Sequence, residues 1–463
     1  MTELTPNFNE DSPLYEQLYR YIVSQIRSGA LAEGEKLPSK RRLAEHLGVS
    51  LTTVERSYGL LTAEGYLEAA PRSGYRVTPD LTMLPTEPPP APPAQERRET
   101  LNDCFSTSAV DTSVFPYATW ARLSKEAVYE NPELLQRGDG QGDWALRATL
   151  AGFLHQYRGV NCAPEQVVLG AGLEALMWVL IQLLPDAVFA LEDPGYAFLQ
   201  RLLSNLRRPY VPVPVDGHGM DPAALRASGA DVAYVTPSHQ FPLGVTTPVG
   251  RRSDLLRWAY ERPGRYLIED DYDSEFRYAS RPIPAMQGLD EGRKVIYVGT
   301  FSRTLAPSIR VAYLILPPAL LERYRAKFGH AAATVSRFEQ EALRRFLAAG
   351  SYSRHLRRVG NLYRHRRDAL VAQLEPWGEV RGADAGLHLL FTLPGREDRE
   401  LAALAGAAGY RVRGLSEYCL RAIPRPGTLV LGFAGLPAEE APGAAADLKK
   451  AFCKISGLPV FSS

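Results

Sequence analysis

No stretch of this 463-residue sequence approaches the roughly 20 consecutive apolar residues of a membrane span, so no membrane passage is expected. The opening run MTELTPNFNEDSPLYEQ is polar and acidic. It lacks the basic start and apolar stretch of a secretory signal, which points to a cytoplasmic location. Cysteine is sparse: Cys104, Cys162, Cys419 and Cys453 stand far apart, with no CxxC pair and no metal-ligand spacing. Reduced thiols and no metal are the expectation. Excess charge is missing too, since the formal net charge is +1, and within residues 1–80 acids slightly outnumber bases. Any nucleic-acid surface must therefore be a local basic patch. Lysine is the last shortage: of 53 basic residues only eight are lysine, and there is no internal repeat.

Hydrophobic residues make up 45% and charged residues 23%, an ordinary globular balance. The length exceeds one ordinary core and suits a small domain joined to a large one. The clearest boundary is residues 79–100, where six of the nine residues from Pro85 to Pro93 are proline, a composition that favours an extended spacer. Before it, Leu14, Leu18, Ile22 and Ile26 recur at helical spacing up to Gly29. Pro38-Ser39 opens a second helix with Leu43, Ala44 and Leu47, stopped at Gly48, and Ser50 caps a third with Val54, Tyr58 and Leu61 on one face. Gly65-Tyr66-Leu67 then leads to a hairpin turning at Arg72-Ser73-Gly74. Helix, helix, turn, helix and hairpin is the order of an α+β winged helix-turn-helix.

After the spacer, apolar runs at 167–169, 188–191, 232–235, 266–268, 295–298 and 312–315 alternate with helical stretches. This pattern predicts a large α/β domain with a mostly parallel sheet. The chain is helical and arginine-rich from Glu339 to about Leu374, and a smaller α+β unit follows with strands at 387–391 and 429–433. The expected division is 1–78 for the winged domain, 79–100 for the linker, 101–375 for the large domain and 376–463 for a small C-terminal subdomain.

The run LPSKRRLAEHLGVSLTTVERSYGLLTAEGYLEAAPRSGYRV, Leu37–Val77, resembles the winged helix-turn-helix of the GntR family. The resemblance implies that the third helix enters the major groove of double-stranded operator DNA, N-terminal residues toward the base edges. Those residues are Ser50, Leu51, Thr52 and Thr53. Lys40, Arg41 and Arg42 open the second helix, where they would grip phosphates, and Arg72 on the wing would reach the minor groove. Relatives often carry arginine where this chain has Leu51 and Glu55. Leu51 still suits a thymine methyl, whereas Glu55 repels phosphate.

In the second half, QGD at 141–143 with Leu146-Arg147, EDPGY at 192–196, TPSHQFPLG at 236–244, EDDYDSEFRY at 269–278 and GTFSRTLAPSIR at 299–310 follow one another. This ordered set resembles the MocR subfamily, GntR regulators fused to a fold-type I aminotransferase-like domain, with GabR-like members nearest in wording. The fold class implied is multidomain, a winged helix-turn-helix plus an α/β aminotransferase-like domain with a small α+β subdomain. The resemblance implies a pyridoxal 5'-phosphate pocket. In it Asp270 faces the ring nitrogen and makes the ring an electron sink, Tyr272 bonds the ring hydroxyl, and Tyr196 contacts the ring. Gly170 and Gly172, opening a helix, would supply phosphate-binding amides, with Thr300, Ser302 and Arg310 as further anchors.

Three departures qualify this. The family's Schiff-base lysine position holds Arg303, and a guanidinium keeps its proton and does not form such a bond. None of the eight lysines stands where the family's does, so no catalytic residue and no covalent Schiff base are expected. Leu173 replaces a phosphate-holding hydroxyl, and Phe198 replaces a carboxylate-binding arginine of GabR-like proteins, while Arg421 falls near a second such arginine. Three readings of Arg303 stand side by side: a cofactor bound non-covalently, a pocket repurposed with Arg303 as a fork for a carboxylate or phosphate on another ligand, or a deliberate replacement of the lysine; Arg303 and Arg421 are the effector-binding candidates. The overall expectation is a regulator that senses an amine or amino acid and acts as a homodimer, head-to-tail as in relatives. The alternatives are an aminotransferase with a DNA-binding appendage, and a dimeric repressor without a ligand.

Overall fold

The computed structural model describes residues 4–9, 12–70, 74–79, 101–278, 283–422 and 425–453. The chain divides into two compact units, Met1–Arg98 and Glu99–Ser463. The proline-rich run at 80–100, and Arg72 at the turn of the hairpin, lie outside the described residues.

In the first unit, α1 (Leu14–Arg27) buries Leu18, Ile22, Val23 and Ile26 along one stripe, the spacing of a one-faced helix. Helix α2 (Lys40–Leu47) begins where the Ser39 side chain accepts the Arg42 amide, and ends at Gly48 with φ 65°, a left-handed stop that glycine adopts without a Cβ penalty. Helix α3 (Leu51–Ala63) is capped by Ser50, whose hydroxyl accepts the Thr53 amide at 3.1 Å. Strands β1 (Leu67–Ala70) and β2 (Gly74–Val77) pair antiparallel, Leu67 opposite Val77. Tyr58 is fully buried, and its hydroxyl donates to the Pro38 carbonyl at 3.0 Å, so the largest side chain of this small core has its polar tip satisfied. One core, with Leu43, Val54, Leu61 and Val77, joins all five elements.

The second unit is built on an eight-stranded sheet of order β3-β10-β9-β8-β7-β4-β5-β6. Its strands are β3 (Val167–Gly170), β4 (Phe189–Asp193), β5 (Tyr210–Asp216), β6 (Gly219–Met220), β7 (Val232–Val235), β8 (Tyr266–Asp271), β9 (Val295–Thr300) and β10 (Ala312–Ile315). The strands β5, β4, β7, β8 and β9 are mutually parallel, while β10 runs antiparallel to both β9 and β3. Helices cover both faces, so the parallel strands read as continuous apolar runs. Strand β5 escaped the sequence pattern because Pro212 and Pro214 argue against a strand. It lies beyond β4, one strand from the sheet edge, where only the two-residue β6 follows.

The arginine-rich helical stretch is two helices, Arg337–Ala348 and Ser351–Leu374, separated at Gly350 with φ 66°. A four-stranded antiparallel sheet follows, of order β11-β12-β14-β13, formed by β11 (Glu379–Arg381), β12 (His388–Thr392), β13 (Arg413–Gly414) and β14 (Thr428–Gly432). Helices Asp398–Ala407 and Ala441–Cys453 pack on it through Leu401, Ala405, Leu448 and Phe452, together with Phe391, Leu429 and Leu431. Among the described residues no helix is long and apolar enough to cross a membrane.

Candidate ligand cavity and DNA-binding face

Strand β8 ends in three consecutive buried acids, and the pleat sends them to different tasks. Glu269 accepts the Met286 and Gln287 amides at 2.7 and 2.8 Å. Asp271 takes Arg158 in a two-pronged pair, Nε at 2.8 Å and Nη2 at 3.2 Å, plus the Tyr297 hydroxyl. Burial alone would raise the Asp271 carboxyl, but Arg158 and these hydrogen bonds hold it below the usual range. Asp270, between them, faces a cavity of about 520 Å³ and accepts a hydrogen bond from the Tyr234 hydroxyl. Burial pushes Asp270 up to about 7, with the Tyr234 hydrogen bond and the charge of Arg303 pulling the other way.

The cavity opens at the carboxyl ends of β7, β8 and β9, through Thr236, Asp270 and Thr300, where ligands of open α/β sheets bind. Its wall includes Phe105, Tyr196, Phe198, Phe241, Tyr272 and Tyr418. Phe241 meets Tyr418 edge to face at a centroid separation of 5.0 Å and Tyr196 at 6.0 Å. Five arginines line it, Arg201, Arg303, Arg310, Arg411 and Arg413, against the acids Asp103, Glu174 and Asp270. Arg303 donates from Nη1 to the Thr107 carbonyl at 2.8 Å. Arg310, at φ 50°, pairs with Glu174. Arg411 meets Asp103 at 3.2 Å, and Arg413 lies 4.0 Å from Glu417.

Thus Tyr196, Asp270, Tyr272, Thr300, Ser302, Arg303 and Arg310, from three separate stretches of sequence, converge on one cavity. Gly170 and Gly172 do not line it; Leu173 and Glu174 do. The Ala171 amide between the two glycines donates to Thr334 Oγ1 at 3.0 Å, and the Gly172 amide turns back to the Gly170 carbonyl at 2.8 Å. Gly172, at φ 92°, serves by being small: a Cβ there would meet Arg310 Nη2 at 2.3 Å. Arg421 is also corrected. Its side chain is exposed and does not line the cavity, because the backbone amides of 420, 421 and 422 are tethered by the Asp193 carboxylate, each at 2.7 Å. The arginines that this subdomain does contribute are Arg411 and Arg413. Their alternation around the buried Val412 is the signal that was available, although only Arg413 lies in β13. Arg201 was likewise missed, one helical turn after Phe198.

Behind the cavity wall lies a buried polar cluster. His239 Nδ1 stands 2.9 Å from Asp273 Oδ2 and 3.1 Å from the Tyr272 hydroxyl, which also donates to the His239 carbonyl at 3.1 Å. His388 Nε2 bonds the Pro242 carbonyl at 3.0 Å, and its ring lies 4.8 Å from that of His239. Burial, then the neighbouring His239, hold His388 well below the ordinary histidine range. The cluster anchors Tyr272 from behind.

In the first unit, Arg41, Arg42, Leu51 and Thr52 are exposed at adjoining helix starts. Lys40 is turned to internal use, 3.6 Å from Glu55 and over the Tyr75 ring at 5.5 Å. Glu55, which looked repulsive to phosphate, therefore has a cation beside it. The hydroxyls of Ser50 and Thr53 bond one another at 2.8 Å, leaving Thr52 as the hydroxyl without a capping task.

A winged helix-turn-helix in one unit, and an aminotransferase-type pocket in the other, define a DNA-binding regulator with an enzyme-derived domain. Comparison with known proteins agrees. Residues 14–77 match the bacterial regulatory proteins of the gntR family, and residues 107–446 match the class I and II aminotransferases. The chain is 35% identical to the probable rhizopine catabolism regulatory protein MocR of Rhizobium meliloti, covering 96% of this chain and 95% of that protein. It is 38% identical to the HTH-type transcriptional regulator YdeL of Bacillus subtilis, over 94% of this chain and 96% of that one. The pyridoxine biosynthesis regulator PdxR of Corynebacterium glutamicum is 34% identical, over 89% and 90%. Among solved structures, an archaeal alanine:glyoxylate aminotransferase superposes with a TM-score of 0.68 and 25% identity, covering 75% of this chain and 89% of that one. The chain belongs to the MocR subfamily of GntR-family transcriptional regulators. It is a DNA-binding transcriptional regulator with an aminotransferase-like domain, of a fold that normally binds pyridoxal phosphate.

Proposed function

We propose that the cavity senses a small amine- or amino-acid-like ligand, with pyridoxal phosphate held non-covalently when present, and that its occupancy alters operator binding. The observation that carries this reading is Arg303 lining the same cavity as Asp270. A carboxyl suited to a pyridine nitrogen is present, while no lysine lines the cavity among the described residues. Lys294 does not substitute, because its amine is held by the Arg262, Pro263 and Arg265 carbonyls at 2.8, 2.8 and 3.2 Å. Asp270 would hold the ring nitrogen and Tyr272 the ring hydroxyl. Tyr196 and Phe241 would flank the ring, and Thr300, Ser302 and Arg310 would take the phosphate. Arg310 would then exchange Glu174 for that phosphate. Bound there, the cofactor supplies an electron-withdrawing ring and a reactive aldehyde. Arg303, permanently charged, supplies neither the amine nor the proton-transfer base that transamination requires, and the relatives are regulators.

The DNA contacts assigned are Arg41, Arg42 and Thr52, with Lys40, Ser50 and Thr53 positioning them and Arg72 on the wing. A homodimer, head-to-tail as the resemblance implies, would cover the apolar side chains left exposed at Tyr117, Val128, Tyr129, Leu135 and Trp144. A regulator of operator DNA works in the cytoplasm. The test of the cavity assignment adds pyridoxal phosphate to the wild type and to Arg303→Lys, records visible spectra, then reduces with borohydride and weighs the protein. Covalent retention is expected in Arg303→Lys alone. A wild-type adduct would move the site to another lysine and overturn the assignment.

A further inference from the structure

Behind Tyr272, outside the groups assigned to the cavity, stand His239, Asp273 and His388, all three buried. They come from the loop after β7, the turn after β8 and the first residue of β12, so only the packing of the two sheets brings them together. One ligating atom of each lies within 4.8 Å of the others. His239 Nδ1 faces Asp273 Oδ2 at 2.9 Å, while His239 Nε2 is buried with no hydrogen-bond partner among the described residues. A buried polar atom left in this way costs free energy. His388 Nε2 bonds the Pro242 carbonyl at 3.0 Å. A carbonyl only accepts, so that nitrogen carries the proton and, in the neutral ring, Nδ1 carries the lone pair.

Each imidazole thus has one nitrogen held by an oxygen acceptor and a lone pair on the other. Metal-binding histidines are oriented in this way, the acceptor fixing the tautomer and raising the basicity of the ligating nitrogen. Gly386, at φ 68°, keeps the backbone close against the pair: a Cβ there would meet His239 Nδ1 at 2.2 Å and Asp273 Oδ2 at 2.4 Å. The Arg303 guanidinium acts on His388 and opposes a further cation. Asp273, whose charge also acts on Asp270 and Tyr272, supplies the opposite sign within the cluster. Imidazole nitrogen selects zinc, copper, nickel or iron over magnesium and calcium.

We propose that His239 and His388, with Asp273 as the orienting and charge-balancing partner, form a site for one divalent transition-metal ion of the zinc class. The Tyr272 hydroxyl meets His239 and its side chain lines the cavity, so an ion here stiffens that wall from behind, whether or not the cavity holds a ligand.

The experiment strips the full-length protein with a chelator and titrates it by calorimetry with zinc ions alone, without pyridoxal phosphate. The wild type is compared with His388→Gln, Asp273→Asn and the surface controls His218→Gln and Cys453→Ser, with matched circular dichroism spectra. One zinc per chain is expected in the wild type and in both controls. His388→Gln should lose saturable binding. Asp273→Asn should lose roughly 10- to 100-fold in affinity, the range for the outer partner of a ligating histidine. Cobalt ions in place of zinc should give visible bands without a thiolate charge-transfer band. No saturable zinc binding by the wild type overturns the proposal, as do unchanged binding in folded His388→Gln and a thiolate band lost in Cys453→Ser. If His388→Gln does not fold, Asp273→Asn carries the test, and unchanged zinc affinity there overturns the site.

Discussion

Asp270 sits fully inside the protein with a phenol beside it, while its neighbour Asp271 has a buried guanidinium. The two acids differ by one position and by everything around them. Ionising a buried carboxyl is costly, and this lifts Asp270 to about 7 against the opposing pull of the Tyr234 hydrogen bond and the Arg303 charge. Its folded-state value lies above the unfolded one near 4, so the native state binds the extra proton. Stability is therefore lost as pH rises from about 4 to 7, and the loss is complete above that window. Asp270→Asn keeps an acceptor for Tyr234 and has no charge to bury. In ligand-free protein at pH 8 this variant should be more stable by on the order of 2–4 kcal/mol, with the gain vanishing toward pH 4. Melting temperatures across that range check it. A gain independent of pH would show that the carboxyl's ionisation is not the source. A bound pyridinium would reverse the preference, as the chain holds an unmatched acid ready for it.

At the scale of elements, much was readable in advance. Ser39, Gly48 and Ser50 announce where α2 starts and stops and where α3 starts, because caps are local chemistry, and all three appear as expected. Arg41 stands exposed in the first turn of α2. If it grips phosphate, Arg41→Ala should weaken binding to every DNA sequence alike. The slope of log affinity against log salt should then become shallower by about one. Fluorescence anisotropy at several salt concentrations measures this, and an unchanged slope would remove Arg41 from the interface. Lys40 looked equivalent in sequence, yet it is drawn to Glu55 and Tyr75, side chains brought near only when α3 and the hairpin pack. Strand β5 was hidden because Pro212 and Pro214 speak for loop locally. Its place by the edge is a property of the sheet.

For the whole molecule, regulation requires that cavity and DNA-binding face be linked in free energy, and linkage is reciprocal. Pyridoxal phosphate at a saturating concentration should change operator affinity by roughly 5- to 150-fold. Operator DNA should change pyridoxal phosphate affinity by the same factor. Anisotropy in one direction and calorimetry in the other make the comparison. Operator affinity that is identical with and without bound ligand would reduce the large unit to a scaffold.

The two-part plan and the family were carried by the sequence alone: cap residues, hairpin glycines, alternating apolar runs and ordered motifs are short-range signals that survive without coordinates. So was the basis for the reading of Arg303, since a guanidinium is not a primary amine whatever the fold. What only the tertiary structure decided is which cations line the cavity. Arg421 is turned outward because its backbone is tethered to Asp193. Arg201, Arg411 and Arg413, though exposed, line the cavity from a helix and from a distant stretch of the small subdomain. Side-chain direction across separate elements depends on how those elements pack, and nothing in the local sequence encodes it.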